Sequence, residues 1–162
     1  MGMLEDHIKN AIEPAFKLLP DKMSAPAARG RAIVQMLAIM LQESRGIHRK
    51  QIGGPAVGLW QFEKGGGIKG VLAHASTRDA AQSVCRMRGV PATSDAVYAA
   101  LPIDDVLAAA FARMLLWTDP FPLPQIGEVQ EAWDLYIRTW RPGKPHRKTW
   151  DDLYAQAVEA VK

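Results

Sequence analysis

Residues 31–42, RAIVQMLAIMLQ, are apolar at almost every position and run directly into a carboxylate, Glu43, which is followed by Ser44 and a basic, glycine-rich loop. A carboxyl group in the last turn of an apolar helix meets the negative end of the helix dipole and loses contact with water. Both effects favour its protonated form. Arg45 and His48, a few residues on, oppose that shift. A carboxylic acid kept protonated near neutral pH is what general-acid cleavage of a glycosidic bond requires. The same residue at a frayed, solvated helix end would be an ordinary surface glutamate, so its surroundings decide its meaning.

The second half of the stretch narrows the reading. Gln61 lies eighteen residues beyond Glu43, in Ala56-Val57-Gly58-Leu59-Trp60-Gln61. Glu43-Ser44 followed at this interval by Gly58-Leu59-Trp60-Gln61 resembles the two signature motifs of soluble lytic transglycosylases and goose-type lysozymes, with Trp60 where the family carries Met. The resemblance implies a lysozyme-like α fold. It also implies that Glu43 is the catalytic acid, that Ser44 orders the site, and that Gln61 lines a substrate cleft, with Gly58, Leu59 and Trp60 as substrate-binding neighbours. Gly58 permits close backbone approach, and Trp60 offers either a packing face or a platform for a sugar ring. The family's third motif, a Tyr-Asn pair, is absent, because Asn10 is the only asparagine and no tyrosine precedes it. Tyr136 or Tyr98 would have to supply a tyrosine to the cleft. The segments HRKQIGGPAVGLWQFE and WRPGKPH also look like parts of tailed-phage and prophage proteins.

Glycosidases commonly use a second carboxylate as nucleophile or as the base that activates water. Residues 44–62 contain no Asp or Glu; Glu63 is the nearest later candidate, and Asp79, Asp119 and Asp134 could be brought in by folding. Single-acid chemistry is favoured: Glu43 protonates the glycosidic oxygen, the substrate's N-acetyl group assists, and Glu43 then takes the proton of the muramic C6 hydroxyl. The product is a 1,6-anhydro end, whereas a hydrolase would use water. The cations Arg45, His48, Arg49 and Lys50 would face the carboxylated stem peptides of peptidoglycan.

The elements that must position these groups are mostly helices. The chain has 162 residues, 48% hydrophobic and 23% charged, enough for one domain with one core. Helical spacing runs from Leu4 to Leu19 with a kink expected at Pro14, giving an N-terminal helix within residues 1–22 that packs on the rest. Ser24 and Pro26 start the central helix, which is apolar on nearly every side and belongs in the middle of a fold. Residues 45–70 hold eight of the thirteen glycines, so the chain turns repeatedly beside that helix's end, with 57–62 extended, as in a small hairpin. Further helices are expected over 68–75, 78–88, 94–100, 103–117, 127–140 and 149–161. Start signals stand at Thr77 with Asp79, Ser94, Pro102 with Asp104, and Thr149 with Asp152. The expected architecture is a mainly α, single-domain lysozyme-like fold with at most a small β-hairpin.

Other function classes find little footing. Gly65-Gly66-Gly67-Ile68-Lys69-Gly70 lacks the ending and preceding strand of a phosphate-binding loop, and no cofactor is expected. The histidines 7, 48, 74 and 146 have no ligand spacing, so no metal site is expected. Cys85 alone excludes an internal disulfide and reads as a buried thiol. No apolar run reaches the roughly 20 residues of a membrane span, and no export signal is visible near the N-terminus, so synthesis in a bacterial cytoplasm is expected. Net charge is +3, with cations clustered at 45–50 and 138–148. The WRPGKPHRK turn reads as a rigid exposed corner rather than a nucleic-acid grip. Two functions are thus expected of this chain: a muramidase of lytic-transglycosylase type acting on periplasmic peptidoglycan strands, or a non-catalytic virion protein that keeps the scaffold and contacts other virion proteins.

Overall fold

The computed structural model describes residues 2–162. In chain order they form α1 (Met3–His7), a π-helical turn (Ile8–Ile12), α2 (Glu13–Leu18), a 3-10 turn (Asp21–Met23) and α3 (Pro26–Ser44). There follow a second π-helical turn (Lys64–Ile68), α4 (Lys69–Ala73), α5 (Arg78–Met87), α6 (Ser94–Ala100), α7 (Asp105–Trp117), α8 (Val129–Trp140) and α9 (Arg147–Ala160). The chain is mainly helical and folds around one core. Among the described residues, none of its helices is long and apolar enough to cross a membrane.

Two helices form the centre. In α3 every residue over 32–41 is buried, including Gln35, whose side-chain amide donates to the Ala132 carbonyl at 2.9 Å. A helix apolar on all sides must be covered on all sides; α9 packs along one flank and α7 along another. In α7 residues 107–116 are likewise buried, and α2, α4 and α5 pack against it. The Asp104 carboxylate caps α7 by accepting from the Leu107 N–H at 3.0 Å.

At the N-terminus the expected kink takes a different form. Pro14 has no N–H to donate and its ring crowds the carbonyl four residues back. The chain answers by widening into the π turn at Ile8–Ile12 and continuing as α2 to Leu18. Ala11, Ile12, Ala15 and Phe16 are buried in the core beside α7. His7 shares a 2.8 Å hydrogen bond with the Gly46 carbonyl, tying this segment to the loop after α3.

Three start signals act otherwise than expected. Thr93, not Ser94, caps α6 by accepting from the Ala96 N–H. Thr77 is fully buried and spends its hydroxyl on the Val71 carbonyl at 2.6 Å. Thr149 lies inside α9, where its hydroxyl reaches the Gln42 side chain of α3 at 3.0 Å.

The small β element reduces to two single antiparallel bridges, Lys50↔Val57 and Val57↔Phe62. Between the latter pair, residues 58–61 make a tight turn closed by the Gln61 N–H on the Gly58 carbonyl at 3.0 Å. The turn is pinned to α3 by the Trp60 indole, which is fully buried and donates to the Met36 carbonyl at 2.8 Å. Trp60→Ala is expected to cost about 3–5 kcal/mol and to lower the melting temperature by about 10 °C. Thermal denaturation followed by circular dichroism checks this; a loss near zero would show that the turn is held elsewhere.

Candidate active site

Glu43 is the penultimate residue of α3, and the helix ends on Arg45 in the left-handed conformation, φ 59°. The loop that follows folds back on the helix end through several short bonds. Ser44 is buried; its hydroxyl lies 2.6 Å from the Leu59 carbonyl and accepts from the Gly46 N–H at 3.2 Å. The Gly58 N–H reaches the Arg49 carbonyl at 2.7 Å. Gly58 sits at φ +80°, and a Cβ there would come within 3.3 Å of the Leu101 carbonyl oxygen, so glycine alone fits without strain. The turn thereby places Gln61 in the wall of an open cleft of about 500 Å³ that also contains Glu43, Glu63, Tyr136 and Trp140.

Leu59 and Trp60 do not reach that cleft. Both are fully buried, so neither meets a substrate directly. Of the two uses open to Trp60, packing is the one the geometry allows, because its indole is committed to α3. The aromatic that does line the cleft is Trp140 at the end of α8, whose indole donates to the Trp60 carbonyl at 2.9 Å. Gly58 and Ser44 are also buried and shape the turn rather than touch the cavity. Gln61 is 8% exposed and donates its side-chain amide to the Gly58 carbonyl at 2.9 Å, which fixes its orientation at the cleft wall.

Tyr136 donates its hydroxyl to Glu43 Oε2. Its ring is fixed by stacking on Trp150, 5.4 Å between centroids and 4° from parallel, and by Trp133 on another side. The bond therefore comes from a rigid donor. Burial and the adjacent Glu43 both push the Tyr136 pKa up, so the hydroxyl keeps its proton.

At Glu43 the forces oppose one another. Burial raises its pKa, the Tyr136 bond stabilises the carboxylate and lowers it, and the negative charge of Glu63 raises it again. Burial is the largest of the three and the net direction is upward. Among the more distant acids proposed for a second role, Asp119 pairs with Arg138, Asp134 accepts from Gln130 and Asp79 pairs with Arg78. None of these three lines the cleft; of the described residues, only Glu63 shares it with Glu43 as a second carboxylate.

The basic residues divide in an unexpected way. Arg49 makes a two-pronged ion pair with Asp105, at 2.9 and 2.7 Å, which fastens the loop to α7 and removes that guanidinium from any ligand. The turn 140–146, expected to be a rigid exposed corner, forms one wall of the cleft through Trp140, Arg141, Pro142, Gly143, Lys144 and His146. Its aromatic and cationic composition was the visible signal; what the sequence does not carry is the hydrogen bond from Gln42 to the His146 carbonyl, 3.0 Å, that draws it to the end of α3. Among the described residues no cluster of His, Cys, Asp and Glu suits a metal ion.

The arrangement makes a stability prediction with a definite sign. The folded state raises the Glu43 pKa, so the native protein holds this proton more tightly than the unfolded chain. Ionisation of the carboxyl then costs stability as pH rises above its ordinary 4.5, and below that value both states are protonated and the cost vanishes. Glu43→Gln accepts the Tyr136 bond without a charge. It is expected to raise the melting temperature by about 2–4 °C at pH 7, with the gain fading towards acid pH. Melting curves of both proteins across this range check it. Comparison of the chain with protein-family models, curated proteins and solved structures finds no match, so the chemistry of the site rests on its own geometry.

Proposed function

We propose that the protein is a muramidase of the lytic-transglycosylase type, cutting the β-1,4 bond between N-acetylmuramic acid and N-acetylglucosamine in peptidoglycan. The observation that carries this reading is Glu43, a carboxyl with an upward-shifted pKa facing an open cleft and oriented by a rigid tyrosine. The Tyr136 bond engages Oε2, which leaves Oε1 to present the proton. Glu43 transfers that proton to the glycosidic oxygen as the bond breaks, and the N-acetyl carbonyl of the muramic residue stabilises the developing cation at C1. The resulting Glu43 carboxylate, now held by the Tyr136 hydroxyl, accepts the C6 hydroxyl proton as O6 closes on C1. The acid is thereby restored and the product carries a 1,6-anhydro end.

The cleft's other groups support a glycan ligand. Trp140 offers an aromatic face to a sugar ring and the Gln61 amide offers hydrogen bonds. Arg141 and Lys144, which pair with no described carboxylate, suit the acidic stem peptides of the wall polymer. Delivery to the wall, by lysis or as part of a virion, belongs to the same proposal.

Digestion of purified peptidoglycan followed by mass spectrometry of the soluble fragments tests this reading. Wild-type protein should release 1,6-anhydro muropeptides, and Glu43→Gln should lower the yield by about 10²–10⁴-fold. Glu63→Gln should still produce anhydro ends. Fragments with reducing ends that disappear in Glu63→Gln would instead assign hydrolysis with Glu63 as the base. No release by the wild type would leave the scaffold to a binding or structural role.

A further inference from the structure

A second cavity, of about 550 Å³, lies under the loop 118–124 at the C-terminal end of α7, and the Glu43 cleft shares none of its lining residues. Its walls are largely apolar and aromatic, with Leu116, Trp117, Phe121 and Leu123 prominent. On one side stand two guanidinium groups, Arg113 of α7 and Arg31 of α3. Arg113 is only 3% exposed, yet no carboxylate among the described residues pairs with it. Its Nε donates to the Met23 carbonyl at 2.7 Å, and its two terminal nitrogens make no hydrogen bond to a described residue. Arg31 donates one bond, to the Leu123 carbonyl at 3.0 Å, and is half-buried.

Burying a cation without a counter-ion is costly unless something compensates it. Burial, and after it the like charge of Arg31, brings the Arg113 pKa down to about 10. Asp119 lines the cavity but offers no compensation, since Arg138 holds both its carboxylate oxygens at 2.9 and 3.0 Å. The indole of Trp117 lies 5.5 Å from the Arg113 guanidinium and 5.8 Å from the Lys22 ammonium, giving partial relief only.

We propose that this cavity binds a small organic monocarboxylate with an apolar or aromatic body, its carboxylate held by Arg113 and Arg31 and its body by Trp117, Phe121 and Leu123. Planar guanidinium groups match a carboxylate through paired N–H donors. A multiply charged phosphate fits less well: it carries a larger desolvation penalty into a largely apolar cavity and has no apolar body for the walls to cover. Phe121, 65% exposed with the Arg138 guanidinium 5.3 Å from its ring, lines the cavity, where a ligand's apolar end would cover more of it.

Titration with 3-phenylpropionate, 3-phenylpropan-1-ol and inorganic phosphate tests this, read by the assigned indole N–H resonance of Trp117 and by the melting temperature. The carboxylate should shift the resonance saturably and raise the melting temperature. The alcohol, which keeps the apolar body and lacks the charge, should bind at least about tenfold more weakly. Arg31→Met should weaken the carboxylate by a similar factor and the alcohol far less; Arg31 is preferred over Arg113 because it is half-buried and gives up one bond to a partly exposed loop, the Leu123 carbonyl, whereas Arg113 holds the Met23 carbonyl in the core. Equal binding of acid and alcohol, phosphate binding as tight as the acid, or no response to any of the three overturns the proposal. None of these readouts involves peptidoglycan, so the outcome is independent of the role of Glu43.

Discussion

The hydrogen bond from the Trp60 indole to the Met36 carbonyl decides where the loop after α3 can run. It fixes a glycine-rich segment against the central helix α3, whose residues 32–41 are all buried. The Ser44 hydroxyl at the Leu59 carbonyl adds a second point, and two points define the turn. From that turn Gln61 and Glu63 are delivered to the cleft beside Glu43, and the Trp60 carbonyl serves as the hook for Trp140 on the opposite wall. Trp60 therefore contributes to both walls, through its indole on one side and its main-chain carbonyl on the other, where the Gln42 bond to the His146 carbonyl also holds the turn 140–146.

The site also carries a conflict that a purely structural helix end would avoid. α3 needs an apolar environment to fold, and the same environment disfavours the charge on Glu43. Tyr136 moderates that penalty without removing it, because its hydroxyl stabilises the carboxylate while Trp133, Trp150 and Trp140 pack around its ring and hold it in place. A group whose two protonation states are brought closer in free energy near neutral pH is suited to give and take back a proton. The cost appears as lost stability, a common exchange at functional sites.

Much of the framework was legible in the sequence, because its signals are local. The apolar run over 32–41 marked the central helix, and the segment 94–100 marked α6 to the residue. Boundaries were less legible: Thr149, read as a start signal, lies two residues inside α9, and its hydroxyl bonds Gln42 across the fold, a long-range partner that no window of sequence contains. The site was legible in part. The spacing of Glu43, Ser44 and Gln61 singled out one stretch, but which side chains of the turn face the cleft depends on the direction of approach to α3: Trp60 takes the packing role of its two expected uses, and Trp140, expected only in an exposed corner, lines the cleft. Arg49 looked free because Asp105, its partner, lies 56 residues away in sequence. The unpaired Arg113 could not be seen at all, since a lone arginine in an apolar helix declares its burial only when its neighbours are known.

The proposed chemistry depends most directly on the proton affinity of Glu43. Carbon-detected NMR titration of its side-chain carboxyl, in the wild type and in Tyr136→Phe, measures this without any substrate. A wild-type value above the ordinary 4.5, rising further when the tyrosine hydroxyl is removed, is the result predicted from burial opposed by a stabilising hydrogen bond. A value at or below 4.5, or a fall in Tyr136→Phe, would contradict it.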